Sequence, residues 1–331
     1  MEWTADVSTG DWLRERIDDG AAWGETIHGV VPRGFAAYAR VFHPGSFDEL
    51  SGRDRLPSLQ QWQKLEWSEA EPVLARIVTR PATWSETAAL FGTTFHPRVQ
   101  WHRLVGVDFS DDWRQVDSPD GRWVNAPHEG HLAPHLVIAL GETLAAHTTT
   151  PGAGHVALWE GDGALLGHLG DSPSRAFFQM GDPRDATLAH HNEMLSHSVK
   201  DPFNNVFRQP TWQEGILSRE ISEGPRLELP GRGHVLFRGG VSELADPDWM
   251  LHMPWRDRLA EEHGFEPSAQ SPSIVWPADR AWTWVTEIDY DSTIVGGSAE
   301  LVAAIVADPR LEALEIPEGT ALTYGSDEVN R

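Results

Sequence analysis

Three groups of side chains in this 331-residue chain have types and spacings suited to chemistry. The first is His128, His131 and His135 in HEGHLAPH, where the last two stand four apart. On a continuous helix that separation sets two imidazoles on one face, as a metal site requires. Pro134, however, favours the first residue of a helix, and the competing reading is a polar N-terminal turn with exposed imidazoles. The second group, HHNEMLSH, holds His190, His191, Glu193 and His197, and a helix there aligns His190, Glu193 and His197. It lacks the HExxH order of a metalloprotease, and its competing reading is a helix surface facing solvent.

The third group is a row of carboxylates in DRAWTWVTEIDYD. Read as a strand from Ala281 to Tyr290, it alternates Trp282, Trp284, Thr286, Ile288 and Tyr290 with Ala281, Thr283, Val285, Glu287 and Asp289. Glu287 and Asp289 then project to one side about 7 Å apart, with Asp291 at the strand end and Arg280 at its start. Such a row can bind a cation, position an amine or guanidinium, or supply an acid and a base. Arg280, Glu287, Asp289 and Asp291 are therefore the preferred ligand-binding candidates. The competing reading is the solvent face of an antiparallel sheet, and Glu287→Gln is expected to be nearly neutral to stability. Trp284→Ala, on the core face, is expected to cost about 3–5 kcal/mol.

Other motifs lead nowhere. GAGHVA (152–157) precedes a strand, so a dinucleotide phosphate would find no helix N-terminus. Gly170-Asp171-Ser172 has no strand before it, and neither a G-x-S-x-G nor a P-loop pattern occurs. Asp117 and Asp120-Gly121 lack the remaining ligands of a calcium loop. The absence of cysteine removes thiol nucleophiles, disulfides and cysteine-held metals. No catalytic residue is assigned and no cofactor is expected; the alternative is a divalent metal on histidine and carboxylate.

The elements that must position these groups mix both periodicities. Gly34 to Phe42 reads as a strand, with Phe35, Ala37, Ala39 and Val41 on one face and Tyr38, Arg40 and Phe42 on the other. Residues 45–60 read as a surface loop. Thr83-Trp84-Ser85-Glu86 signals a helix stopping at Gly92, Pro134 opens one to about His147, and Ser298 caps one over Ala299 to Ala307. His155 to Glu160 and Gly233 to Phe237 read as strands, and a short strand follows Leu311. The fold class is α+β, mainly antiparallel sheet with a few packed helices. Thr148 to Gly152 suggests a boundary between halves 1–150 and 151–331. A faint echo of Pro32-Arg33-Gly34 and Tyr38–Phe42 in Pro230–Gly233 and His234–Arg238 admits two similar α+β halves, or one compact unit.

The sixteen tryptophans point chiefly to a deep core. Trp101, Trp113 and Trp123 sit in polar, loop-like company and could stack on a sugar or a cation, whereas Trp159, Trp276, Trp282 and Trp284 read as core. The net charge of −24 opposes nucleic-acid binding, and no apolar run spans a membrane. The opening MEWTADVSTGDWLRER carries no export signal, from which a cytoplasmic location is expected.

YARVFHP (38–44), HTTTP (147–151), LWEG (158–161) and WPADRAWTWVTEIDYDSTIVGGS (276–298) resemble segments of a family of uncharacterised tryptophan-rich proteins from high-GC bacteria. The resemblance covers most of the chain and implies a folded, intact protein. It brings no activity, cofactor or site. The leading expectation is a binding protein whose acidic and aromatic surface recognises a basic partner or a cationic small molecule. The alternative is a metal-dependent hydrolase using a histidine and carboxylate cluster. Oligomeric state has no signature in the sequence.

Overall fold

The computed structural model describes residues 1–19, 24–52, 54–162, 164–170, 175 and 210–331. His190, His191, Glu193 and His197 lie outside them. The fold is α+β, as expected, and its strands pair antiparallel. In chain order they are β1 (Glu2–Trp3), β2 (Ala37–Phe42), β3 (Gly45–Leu50), β4 (Ile77–Ala82), β5 (Gln115–Asp117), β6 (Trp123–Asn125), β7 (Gly154–Trp159), β8 (His168–Gly170), β9 (Thr211–Gln213), β10 (Leu227–Leu229), β11 (Arg232–Gly239), β12 (Ile274–Pro277), β13 (Thr283–Thr286), β14 (Ser292–Gly297) and β15 (Ala313–Ile316).

The main sheet runs β1-β11-β7-β12-β13-β14-β2-β15, with β10 also on β11. Its strands come from both sides of position 150: β1 pairs with β11, and β2 lies between β14 and β15. A second sheet, β4-β3-β6-β5, continues from β2 through the turn at His43-Pro44, and β8 and β9 form a separate pair.

Both faces of the main sheet are covered, which explains why its strands are apolar on both sides. On one face Ala39, Val41, Val156, Val235, Trp282, Trp284 and Val295 meet the helices Pro134–Ala146 and Ala299–Ala307. On the other, Tyr38, Leu236, Ile274, Val285 and Ile294 meet Trp12, Leu13, Ile27 and Val31 from the N-terminal segment. The alternation holds for Ala37 to Phe42 and for Trp282 and Trp284, but the strand begins at Ala37, and Phe35, ahead of it, packs against Tyr38 on the opposite face. The helix caps also hold: Thr83 and Ser298 accept hydrogen bonds from the amides of Glu86 and Leu301, and Gly92 closes its helix at φ 70°.

Two readings need correction. Residues 45–60 are not simply a loop, because β3 buries Phe47 in a core with Trp84, Trp101 and Val124. The strand around Trp284 is only four residues long. Arg280 turns the chain on one side at φ 54°, and on the other the Tyr290 amide donates to the Glu287 carbonyl, closing a turn into β14. Among the described residues no helix is long and apolar enough to cross a membrane.

Candidate functional site

The turn between β13 and β14 carries Glu287, Asp289, Tyr290 and Asp291 to the junction of the two sheets. It is held by the Glu287 carboxylate, which accepts the Asp289 amide at 2.6 Å, and by Asp291, whose carbonyl accepts the His43 amide at 3.0 Å. The Gly130 amide donates to the Tyr290 carbonyl at 2.9 Å. Only glycine fits there: φ is 67° and a Cβ would lie 2.7 Å from Ile288 Cα. That close approach sets Glu129 beside the turn.

These residues line a cavity of about 360 Å³. Its other walls come from Gly24 to Val30, the short helix Trp101–Leu104, Trp113, the start of β11 at Arg232, and Leu322 to Tyr324. Aromatic surface is supplied by Trp101, Trp113, Tyr290 and Tyr324. Phe109 stacks on Tyr324 with ring centroids 3.7 Å apart and on Trp113 at 6.2 Å, bracing the mouth.

Four carboxylates and two guanidiniums face this space. Arg40 is fully buried and fully used. It donates to Ser292 Oγ, the Pro97 and Val99 carbonyls and Asp291 Oδ1, and lies over the Phe42 ring at 4.5 Å. Burial disfavours its charge and Asp291 restores it, a balance that suits a structural ion pair. Arg232 brings Nε to 2.5 Å from Glu287 Oε1 and Nη2 to 2.6 Å from Asp289 Oδ2, with its guanidinium over Trp159. Burial pushes the Glu287 carboxyl up, against the Asp289 amide and Arg232.

Glu129 is exposed at the edge of the cavity and makes no ion pair or hydrogen bond among the described residues. Its carboxyl is raised by partial desolvation and by the charges of Asp291, Asp289 and Glu287, with Arg114 opposing. Burial likewise raises Tyr290, so its phenol stays neutral. His102 is 3 % exposed, burial lowers its imidazolium, and its Nε2 has no hydrogen-bond partner among the described residues.

The structure therefore brings Glu287, Asp289 and Asp291 together, but not on a solvent face. Glu287 is buried and paired, which removes the open acidic face on which a neutral Glu287→Gln was expected. Arg280 lies elsewhere, its guanidinium over Trp12 at 5.4 Å. Of the histidines, His128 and His135 are exposed and His131 has Nδ1 3.4 Å from Ser271 Oγ. Among the described residues no group of three or more His, Asp or Glu is arranged to hold a metal ion. Trp101 and Trp123, read as loop tryptophans, are core. Arg40, Glu129, His102, Arg232 and Tyr324 were missed as a set. One signal was available: Arg40 stands at an inward position of an apolar strand, where a charge requires a partner.

Comparison with protein-family models, with curated proteins and with solved structures finds no match.

Proposed function

We propose that the protein binds a small organic cation, an ammonium or guanidinium, in the cavity between the two sheets. The observation that carries this reading is the unequal pairing of charge there. Arg40 and Arg232 are committed to three of the carboxylates, while Glu129 stands unpaired among the described residues. Asp289 and Asp291 each accept through one oxygen, at Oδ2 and Oδ1, leaving their second oxygens to a ligand that donates hydrogen bonds. Trp113 and Tyr324 line the same space, and Tyr290 contributes a neutral hydroxyl. A concave, mostly apolar space with a few convergent polar groups suits a small molecule better than the face of a protein.

Calorimetric titration with butylamine, butylguanidine and butanol tests it. Saturable binding of the two cations, absent for butanol and weakened by Glu129→Gln, is the expected result. Equal responses to amine and alcohol, or no response to either cation at millimolar concentration, would discard the reading.

A further inference from the structure

The C-terminal segment walls the main cavity as a strap tied at two ends. Leu322, Thr323 and Tyr324 line the cavity, yet among the described residues the only main-chain hydrogen bond of 321–325 is the local one from the Ser326 amide to the Thr323 carbonyl. At one end the Gly34 amide donates to Glu318 Oε1 at 3.2 Å, the Gly319 amide to His28 Nε2 at 2.9 Å, and the Ile27 amide to the Thr320 carbonyl at 2.9 Å. At the other, the buried Asp327 carboxylate takes His96 Nε2 at 2.9 Å and the amides of Gln100, Val329 and Asn330. Both anchorages adjoin other walls of the cavity, Gly29 and Val30 beside the first and Gln100 at the second. His28 is fully buried, and its Nδ1 lies 2.9 Å from the Val31 carbonyl, which can only accept. Nδ1 therefore carries the proton, and Nε2 keeps the lone pair that the Gly319 amide needs. A second proton on the ring would set Nε2–H against the Gly319 N–H and break that contact.

We infer that neutral His28 latches this strap over the cavity, and that acid releases it about Asp327 as a hinge. Burial disfavours the His28 imidazolium and the Val31 carbonyl favours it; of the charged groups about the ring, Arg33 opposes it, whereas Glu318 and Asp18 support it. Tyr38 packs edge-on against the ring at 5.4 Å. His28 thus takes its second proton below the ordinary 6.5. The far anchorage holds in acid, because a protonated His96 keeps its contact with a carboxylate. Although burial raises the Asp327 carboxyl, Asn330, His96 and Gln100 hold it below the usual range. Release parts no strands, since β15 ends at Ile316. It draws Leu322 and Tyr324 off the cavity and separates Tyr324 from Phe109. The latch acts whatever the cavity holds, so it does not rest on the cation-binding reading.

Amide hydrogen exchange and ring-to-ring NOEs, measured by NMR on the intact protein without added ligand from pH 7.5 to 4.5, test it. Protection of the Gly319 amide, corrected for intrinsic exchange, is expected to fall by up to about tenfold per pH unit once His28 titrates, as one linked proton dictates. The Phe109–Tyr324 NOEs should fade over the same range. The amides of Asn330, at the hinge, and of Val295, in the central strand between β13 and β2, should stay protected. His28→Gln can still accept the Gly319 amide but does not titrate, and should abolish the slope. Loss of Gly319 protection only in step with Val295 would overturn the inference, because the event is then global unfolding. NOEs that persist after Gly319 opens, or a slope that survives in His28→Gln, would overturn it as well. If His28→Gln folds poorly, the comparison of Gly319 with Val295 in the unaltered protein still decides.

Discussion

Arg232 Nε, at the start of β11, and Glu287 Oε1, in the turn after β13, meet at 2.5 Å as an ion pair without hydrogen-bond geometry, with side chains 17 % and 6 % exposed. The pair closes the inner end of the cavity and fixes the turn that bears Asp289 and Asp291. Removing Arg232 leaves the buried Glu287 carboxylate without its counterion, whereas removing Glu287 leaves Arg232 with Asp289.

Arg232→Gln is accordingly expected to lower stability by about 3 kcal/mol in urea unfolding, and Glu287→Gln by less. The double variant should lose much less than the sum of the two. Strict additivity would show that the contact contributes no coupling.

Glu129→Gln should leave stability unchanged, since its carboxylate holds nothing together, and weaken cation binding roughly tenfold. Its carboxyl is pushed above the ordinary range by local desolvation and by the neighbouring carboxylates, although the residue itself is exposed. A bound cation favours the ionised form, so binding releases a proton. Affinity should fall as pH drops through that raised value and level off above it, and Glu129→Gln should flatten this profile.

Burial depresses the imidazolium forms of His43 and His234 to about 4. The His43 Nδ1–H donates to the His128 carbonyl, and Nε2 takes the Thr293 hydroxyl at 3.0 Å, both consistent with a neutral ring. Between the unfolded value of 6.5 and about 4, the unfolded chain binds more protons. Stability should therefore fall as pH drops through that window, by on the order of 3 kcal/mol per histidine. Urea midpoints from pH 7 to 4 check this: His43→Asn should reduce the slope, and an unchanged slope would contradict a neutral buried ring.

Trp284→Ala should cost about 3–5 kcal/mol. The ring is fully buried, and its Nε1–H donates to Thr286 Oγ1 at 2.6 Å, at the end of a chain that runs through Thr293 to His43. Trp284→Phe should lose less of the packing but still leave Thr286 without its donor.

Much of the fold was legible where local chemistry and packing agree. Thr83, Pro134 and Ser298 start their helices for local reasons, and the alternation about Tyr38 and Trp284 survives because each strand truly has two sides. What the alternation does not carry is what covers each side. Glu287 reads as solvent-facing until Arg232 arrives from another strand, and β3 reads as a loop because Phe47 and Leu50 are its only large apolar residues. The site was half legible for the same reason. Its carboxylates lie close together in sequence, whereas Arg40, His102, Glu129, Arg232 and Tyr324 reach it from five separate segments.

Arg40 reaches Ser292 across 252 positions of the chain and draws its counterion from the adjacent Asp291. During synthesis β2 is therefore made long before anything can neutralise the charge at its centre. Desolvating that guanidinium alone is prohibitive, so the strand must stay wet until β14 is delivered. Closure of so long a loop is slow. Burial of β2 beside β14 is accordingly a late step of folding, and the cavity, whose walls include Asp291 and Ser292, is completed only with it.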